Sequence, residues 1–234
     1  MATIRDLGQL AAAVYDEAPA VQNWACPAHL AASSSWNGFQ AATFTKDGVT
    51  VIVFRGTSQA MDVGADLRLG TGMNTSYFSE GEDYAASAAA PGDNVYVCGH
   101  SLGGAIAQVV ANRGGYKMVT FNAPGVAVFA SRNVRDIAVA AVLPGMQALR
   151  VGGALVSAIT NPMQTFRDVR STFHKVRGLN IRLSYDAVSS IGIHYGELVT
   201  LEGPSMNPAT AHRMVTVNEV LATNPLGGRA LSSL

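Results

Sequence analysis

One serine of this chain stands in a setting that could make it a nucleophile: Ser101, between Gly99 and Gly103. The stretch fits the pattern G-x-S-x-G and lies between an apolar run, 94–98, and a helix-favouring run, 105–112. A strand, a sharp turn and a helix in that order form a nucleophile elbow, which exposes the serine hydroxyl above a sheet. The flanking glycines avoid Cβ clashes in such a strained turn. The sequence therefore predicts a catalytic serine, with an ordinary turn serine as the alternative.

A serine hydroxyl needs a base to take its proton and a carboxylate to orient that base. In hydrolases with this elbow, the chain order is serine, then acid, then histidine. Asp186 is the best carboxylate, because it directly follows the predicted strand 179–185 and catalytic groups lie at the carboxyl ends of such strands. Asp136 and Asp168 belong to an insert, and Glu197 opens a strand.

Three histidines after the serine could act as the base. His212 follows a turn-like segment and is predicted to begin the last helix, from which an imidazole could swing over the sheet edge toward Ser101. His194 lies only eight residues after Asp186, and His174 lies among the insert residues. We predict His212 as the base and keep His194 as the alternative.

The developing negative charge of an ester reaction needs hydrogen-bond donors, an oxyanion hole. One donor should be the backbone N–H of the residue after the nucleophile, Leu102. A second should come from an upstream strand end, and the run 51–57 ends in Gly56 and Thr57. Glycine allows close approach of the backbone, and Thr57 offers an N–H group and a hydroxyl.

Composition indicates one α/β domain over residues 1–234. The chain is 48% hydrophobic and only 14% charged, and its net charge of zero gives no reason to expect a nucleic-acid partner. Its two cysteines, Cys26 in a loop-like stretch and Cys98 at the end of a strand, are predicted to be free thiols. The scattered histidines form no zinc pattern, so neither a metal nor an organic cofactor is expected.

Alternating helices and strands predict a mostly parallel central sheet flanked by helices. The predicted helices cover 3–17, 76–89, 102–113 and 214–222. The predicted strands cover 38–44, 49–54, 94–98, 117–121, 179–185 and 198–201.

Residues 126–176 interrupt this alternation and are predicted to form a helical insert. Its stretch 137–159 carries one charge, Arg150, but Pro and Gly breaks argue against a transmembrane helix. Eight basic residues against two acidic ones lie between 132 and 182. The insert is either a set of helices packed over the sheet or a lid whose basic rim meets an anionic lipid surface.

The residues around the serine resemble the class 3 lipases, a group of α/β-hydrolases. The run 51–57 is similar to the family's strand ending in Phe-Arg-Gly-Thr, and 95–104 is similar to its Gly-His-Ser-Leu-Gly-Gly elbow. Segments 119–125 and 186–192 resemble its Thr-Phe-Gly-Ala-Pro and Asp-Pro-Val motifs. Asn122 stands where the family usually has glycine, and Ala187 where it usually has proline; we expect both changes to be tolerated.

This resemblance implies a serine hydrolase that cleaves carboxylic esters of lipids through an acyl-enzyme. A phospholipase A or a lipase is favoured, and the basic insert favours phospholipid at a membrane or micelle surface. Alternatives are an esterase acting on small soluble or neutral-lipid esters, and a non-catalytic lipid-binding module on the same scaffold.

The N-terminus lacks the features of a secretory signal, and no segment is predicted to span a membrane. We therefore expect a soluble protein that stays in the cytoplasm of the producing cell or leaves it by a signal-independent route. A bacterial effector of that kind would have a secretion machine or an immunity protein as a partner.

Overall fold

The computed structural model describes residues 1–31, 38–56, 76–89, 94–126 and 176–234. Five α-helices and seven strands lie in these ranges. The helices are α1 (Ile4–Ala13), α2 (Ser76–Ala88), α3 (Leu102–Gly114), α4 (Pro208–His212) and α5 (Met214–Thr223). The strands are β1 (Ala25–Leu30), β2 (Ala41–Lys46), β3 (Val49–Phe54), β4 (Asn94–His100), β5 (Lys117–Phe121), β6 (Gly178–Leu183) and β7 (Glu197–Leu201). Two 3₁₀ turns, Pro225–Gly228 and Leu231–Ser233, follow α5.

The seven strands form one sheet in the order β1-β2-β3-β4-β5-β6-β7. β1 and β3 each pair antiparallel with β2, and every pair from β3 to β7 is parallel. Residue Phe54 pairs with Gly99, and His100 pairs with Phe121. The carboxyl ends of the parallel strands therefore lie at one edge, where ligands bind in open α/β sheets.

Helices cover both faces of the sheet, and the alternation of strand residues explains why. Val51 and Val53 of β3 belong to a core cluster with residues of α1 and α5. Ile52 and Phe54 belong to the cluster on the opposite face, with residues of α2 and α3. Both faces of a sheet sandwiched in this way must be apolar, which accounts for the apolar central strands.

The predicted α/β class and the mostly parallel sheet are confirmed. Every predicted strand and helix has a counterpart, although the first helix ends at Ala13 rather than near residue 17. Cys26 and Cys98 are free thiols, as predicted. Nearly all of the predicted insert, residues 127–175, lies outside the described residues, as do His174, Asp136, Asp168 and Thr57.

The prediction that Cys26 lies in a loop is wrong, because Cys26 belongs to β1. This strand contains Pro27 and is mostly half-buried or exposed, so it lacks the alternating apolar pattern that marks a strand in a sequence. The segment is a strand because it pairs with β2 at the edge of the sheet. Proline is tolerated in such edge strands.

The prediction that His212 begins the last helix is also wrong. His212 is the final residue of the short helix α4, and the extended residue Arg213 separates it from α5. The signal for α4 was present in the sequence, since Asn207 caps the helix by accepting N–H bonds from Ala209 and Thr210, and proline follows the cap.

Candidate active site

Ser101 lies between β4 and α3 in a conformation that non-glycine residues rarely adopt. Its φ of 56° and ψ of −128° place it outside the ordinary allowed regions. Its N–H donates to the Phe121 carbonyl on the neighbouring strand at 3.1 Å, and the residue is fully buried. Strain of this kind persists only where the surroundings enforce it, and it concentrates at functional sites.

Close backbone contacts around the elbow explain the glycines. A Cβ atom on Gly99 would lie 2.4 Å from the Gly103 carbonyl carbon, and one on Gly103 would lie 2.0 Å from the Phe54 carbonyl oxygen. A Cβ on Gly104 would lie 2.5 Å from the Ala123 Cβ. The turn therefore forms only because these positions carry no side chain, as the motif predicts.

Asp186 and His212 form a buried pair, in which the His212 Nδ1 lies 2.8 Å from the Asp186 Oδ1. The same carboxylate accepts backbone N–H bonds from Val188 at 3.2 Å and Ser189 at 3.0 Å. Burial alone would raise the pKa of Asp186, but the bonds from His212 and Ser189 outweigh it and hold the pKa below its ordinary value. An ionised carboxylate thus faces Nδ1 and fixes the ring so that Nε2 is left for other chemistry.

His194, the alternative base, has a different partner. Its Nε2 lies 2.8 Å from the Ala123 carbonyl oxygen, so that nitrogen carries a proton and donates it to the backbone. Burial lowers the pKa of His194. Among the described histidines, only His212 is paired with Asp186.

Two polar atoms at the site have no hydrogen-bond partner within the described residues: the Ser101 Oγ and the His212 Nε2. Both are buried, and buried polar atoms without partners are uncommon enough to need an explanation. The ring of His212 lies 4.7 Å, centroid to centroid, from the ring of His100, the residue just before the serine. The ring that carries the unpaired nitrogen therefore packs against the residue that precedes the serine in the chain.

Of the two predicted oxyanion donors, the structure describes one. Leu102 is the buried first residue of α3, whose leading N–H groups have no partner within the helix. Thr57 lies outside the described residues, but the preceding Gly56 approaches the elbow closely. A Cβ on Gly56 would lie 3.2 Å from the Ser101 Cβ and 2.6 Å from the His100 carbonyl oxygen.

Two residues that the sequence analysis left without a role, His100 and Tyr15, complete the neighbourhood. The His100 Nε2 donates to the His212 carbonyl oxygen at 2.7 Å, and the Tyr15 hydroxyl lies 2.9 Å from the His100 Nδ1. Burial, reinforced by the nearby His212, lowers the pKa of His100 to about 3. Its ring is therefore neutral, and Tyr15 donates to Nδ1. Nothing in the local pattern around Tyr15 could have predicted this, because the contact joins the turn that follows α1 to the elbow across 85 residues.

A pocket of about 200 Å³ opens beside the elbow, between Gly56 and Leu102. Its lining is mixed: Phe39 and Ile106 contribute apolar side chains, and Gln40 and Arg55 contribute polar ones. Such a lining can contact both the apolar and the polar parts of an ester placed next to the serine.

The described ranges contain no cluster of three His, Cys, Asp or Glu side chains able to hold a metal ion. Nor is any helix in those ranges long and apolar enough to cross a membrane.

The chain matches the phospholipase-like family described as the Tle-like phospholipase domain, over residues 7–207. It is 40% identical over 91 residues to an extracellular phospholipase A1 of Serratia liquefaciens. That alignment covers 38% of this chain and 28% of the relative, so the chain spans less than a third of that protein.

Several solved lipase structures are similar to this chain at low sequence identity. Lip2 lipase of Yarrowia lipolytica is 14% identical with a TM-score of 0.45, covering 89% of this chain and 81% of that one. A mutant form of MDLA from Penicillium cyclopium is 14% identical with a TM-score of 0.48, covering 98% and 91%. At these scores, the assignment of an α/β-hydrolase sheet depends on this chain's own strand order and elbow.

Because the family match spans most of the sequence, the chain belongs to the Tle-like phospholipase domain family. This confirms the predicted relationship to a lipase and phospholipase family.

Proposed function

We propose that this chain is a serine phospholipase in which Ser101, His212 and Asp186 act as the catalytic triad. The observation that carries the proposal is the buried Asp186–His212 pair, 2.8 Å apart, whose imidazole packs against His100, the residue before a strained serine with no hydroxyl partner among the described residues. A nucleophile, a base and a group orienting that base are the parts that acyl transfer requires.

In this mechanism, the His212 Nε2 takes the Ser101 proton as Oγ attacks the ester carbonyl. Asp186 keeps the proton of His212 on Nδ1 and stabilises the imidazolium that forms. The N–H groups of Leu102 and Thr57 stabilise the oxyanion, a contribution of about 3–4 kcal/mol per donor in a comparable hydrolase. The protonated base then gives its proton to the departing alcohol, and water releases the fatty acid by the same steps in reverse.

Family membership and the Serratia phospholipase A1 support a phospholipid as the substrate. The pocket between Gly56 and Leu102 has room for the ester and the first carbons of an acyl chain, which would contact Phe39 and Ile106, because it opens where the ester carbonyl would meet the oxyanion donors. The basic composition of 132–182 supports binding at an anionic surface, with the insert 126–176 serving as a lid.

The test is fatty-acid release from phosphatidylcholine and phosphatidylglycerol vesicles by the wild-type protein beside Ser101→Ala. We expect release that Ser101→Ala abolishes, and faster release from the anionic vesicles at low salt, with the difference shrinking as salt screens it. Ser79→Ala, on the exposed side of α2, is the matched control and should retain full activity.

Undiminished hydrolysis by Ser101→Ala would falsify the assignment of the nucleophile. Equal rates on both vesicles would remove the anionic-surface preference while leaving the triad in place. Activity on small esters alone would identify an esterase instead.

A further inference from the structure

The backbone of His212 is anchored from two sides. Its carbonyl lies at the end of α4, where a helix supplies no N–H partner of its own. The His100 Nε2 donates to this oxygen at 2.7 Å, and the Asn122 Nδ2 donates at 3.2 Å. The residue that carries the imidazole is therefore held through its main chain as well as through its ring.

Within the described residues, the Asn122 side chain makes three hydrogen bonds, and all three go to backbone groups. Its Nδ2 also donates to the Ala211 carbonyl at 2.8 Å, and its Oδ1 accepts the Leu183 N–H at 2.9 Å. The residue is fully buried, so no water replaces these partners without rearrangement. Two backbone carbonyl oxygens face Nδ2, and the Leu183 N–H faces Oδ1. These partners determine which atom of the amide is the nitrogen and which is the oxygen.

These bonds join the two segments that carry the candidate acid and base. Leu183 is the last residue of β6, three positions before Asp186, and Ala211 precedes His212 in α4. Asn122 itself follows β5, where its N–H donates to the Ile181 carbonyl at 2.8 Å. One side chain therefore sets the spacing between two segments that meet at the site from different parts of the sequence.

The backbone of Asn122 is left-handed, with φ at 45°. Glycine adopts this conformation freely, and asparagine is one of the few other residues that tolerate it. The families that this motif resembles usually have glycine here, and glycine could make none of the three side-chain bonds. The asparagine thus adds a connection that the turn itself does not need.

We propose that Asn122 is a positioning residue that, together with His100, holds His212 within reach of Ser101 and in register with Asp186. The inference rests on the proposed function, since it concerns the same serine–histidine chemistry. Asn122 touches no reacting atom, and its effect passes through the main chain of the base.

The decisive variant is Asn122→Gly, which keeps the left-handed turn and removes every side-chain bond. We expect kcat on a soluble chromogenic ester to fall about 100-fold, the loss that a misplacement of about 1 Å can produce. KM should stay nearly constant, because the pocket beside Gly56 and Leu102 is untouched.

Asn180→Ala is the matched control. Asn180 is equally buried, and its amide accepts from Thr120 and donates to the carbonyls of Tyr195 and Glu197 without touching His212. We expect this variant to lose stability to a similar degree while kcat stays within about threefold of wild type.

A spectroscopic readout separates positioning from general destabilisation. The proton between the His212 Nδ1 and Asp186 should give a far-downfield ¹H NMR signal in the wild type and in Asn180→Ala. It should broaden or vanish in Asn122→Gly at temperatures where circular dichroism shows a folded chain. Should that variant not fold, Asn122→Asp retains the size and the acceptor for Leu183, and at alkaline pH offers no donor to His212.

Wild-type kcat and an unchanged downfield signal in the folded Asn122 variant would overturn the proposal. Equal losses of kcat in the Asn122 and Asn180 variants, in proportion to their folded fractions, would also overturn it. Failure of the proposed function looks different, because then the wild type itself would hydrolyse no ester. The downfield signal would still report whether Asn122 positions His212.

Discussion

The two halves of the candidate site are held in place by different forces. The nucleophile half, β4 through α3, is fixed by backbone packing, since a Cβ on Gly103 would lie 2.0 Å from the Phe54 carbonyl oxygen. The acid–base half is fixed by side chains that bind backbone groups, with Asn122 and His100 both donating to the His212 carbonyl. The repulsion between overlapping atoms rises steeply as their distance shortens, whereas each hydrogen bond contributes only about 1 kcal/mol. Backbone packing therefore fixes the position of the nucleophile rigidly, whereas several weaker contacts together fix the position of the base.

The largest effect is expected for Asp186→Asn, a variant that tests the acid–base half of the site. The amide cannot hold the proton of His212 on Nδ1, and it favours the wrong tautomer of the base. We expect kcat to fall about 10⁴-fold, as the equivalent change does in another serine hydrolase. The measurement is hydrolysis of a soluble ester, with Asp83→Asn on the exposed side of α2 as the control. A loss smaller than about tenfold would mean that the Asp186–His212 pair is structural rather than catalytic.

The contrast between the two halves also explains what the sequence could predict. The elbow depends on residues adjacent in the chain, so strand, turn and helix signals around Ser101 located it correctly. Asp186 and His212 were chosen from chain order and strand ends, and the structure brings these two together. The roles of His100, Tyr15 and Asn122 could not be predicted, because their side-chain partners lie 61 to 112 residues away in the chain.

The same reasoning applies to the fold. The apolar runs of the central strands marked β3, β4 and β5, which are buried on both faces. The edge strand β1 carries no such pattern, since Pro27 and half-exposed neighbours interrupt it and only pairing with β2 defines it. The helix α4 was missed although its asparagine–proline start was visible, because five residues are too few for an apolar period to show.

The second prediction tests whether backbone packing holds the nucleophile half in place. Gly103→Ala forces a methyl group against the Phe54 carbonyl, which the rigid β3–β4 pairing cannot move aside. We expect the free energy of unfolding to fall by about 3 kcal/mol, the upper part of the range for overpacked sites. Urea denaturation measures it, with Gly228→Ala as the control, because a Cβ there meets nothing within 4 Å. A change of similar size in both variants would show that the elbow is not held by packing.

The smallest expected effect concerns pH and the buried His100. Its pKa is lowered to about 3 in the folded chain, and in the unfolded chain it returns to about 6.5. The unfolded state therefore binds more protons below about pH 6.5, and stability falls as the pH drops from there toward about pH 3. His194 and Asp186, whose pKa values are also lowered, act in the same direction, Asp186 only at the acidic end.

The corresponding measurement is urea denaturation of the wild type and His100→Gln at a series of pH values. Lowering the pH from about 6.5 to about 5 should cost the wild type about 2 kcal/mol through His100, on top of the contribution of His194. His100→Gln has no titrating group at this position, so over the same pH range its free energy of unfolding should fall by about 2 kcal/mol less than that of the wild type. Parallel pH profiles would contradict the assignment of a neutral, buried His100.

The central claim is that the buried Asp186–His212 pair activates Ser101. The most direct test is reaction with a fluorophosphonate probe, followed by intact-mass and peptide mass spectrometry, which requires no knowledge of the lipid. We predict one label per chain, on the peptide containing Ser101, with no label on Ser101→Ala and far slower labelling of folded His212→Ala. Labelling at another residue, or a rate that His212→Ala leaves unchanged, would contradict the account, and a wild type that takes no label would identify a non-catalytic lipid-binding module.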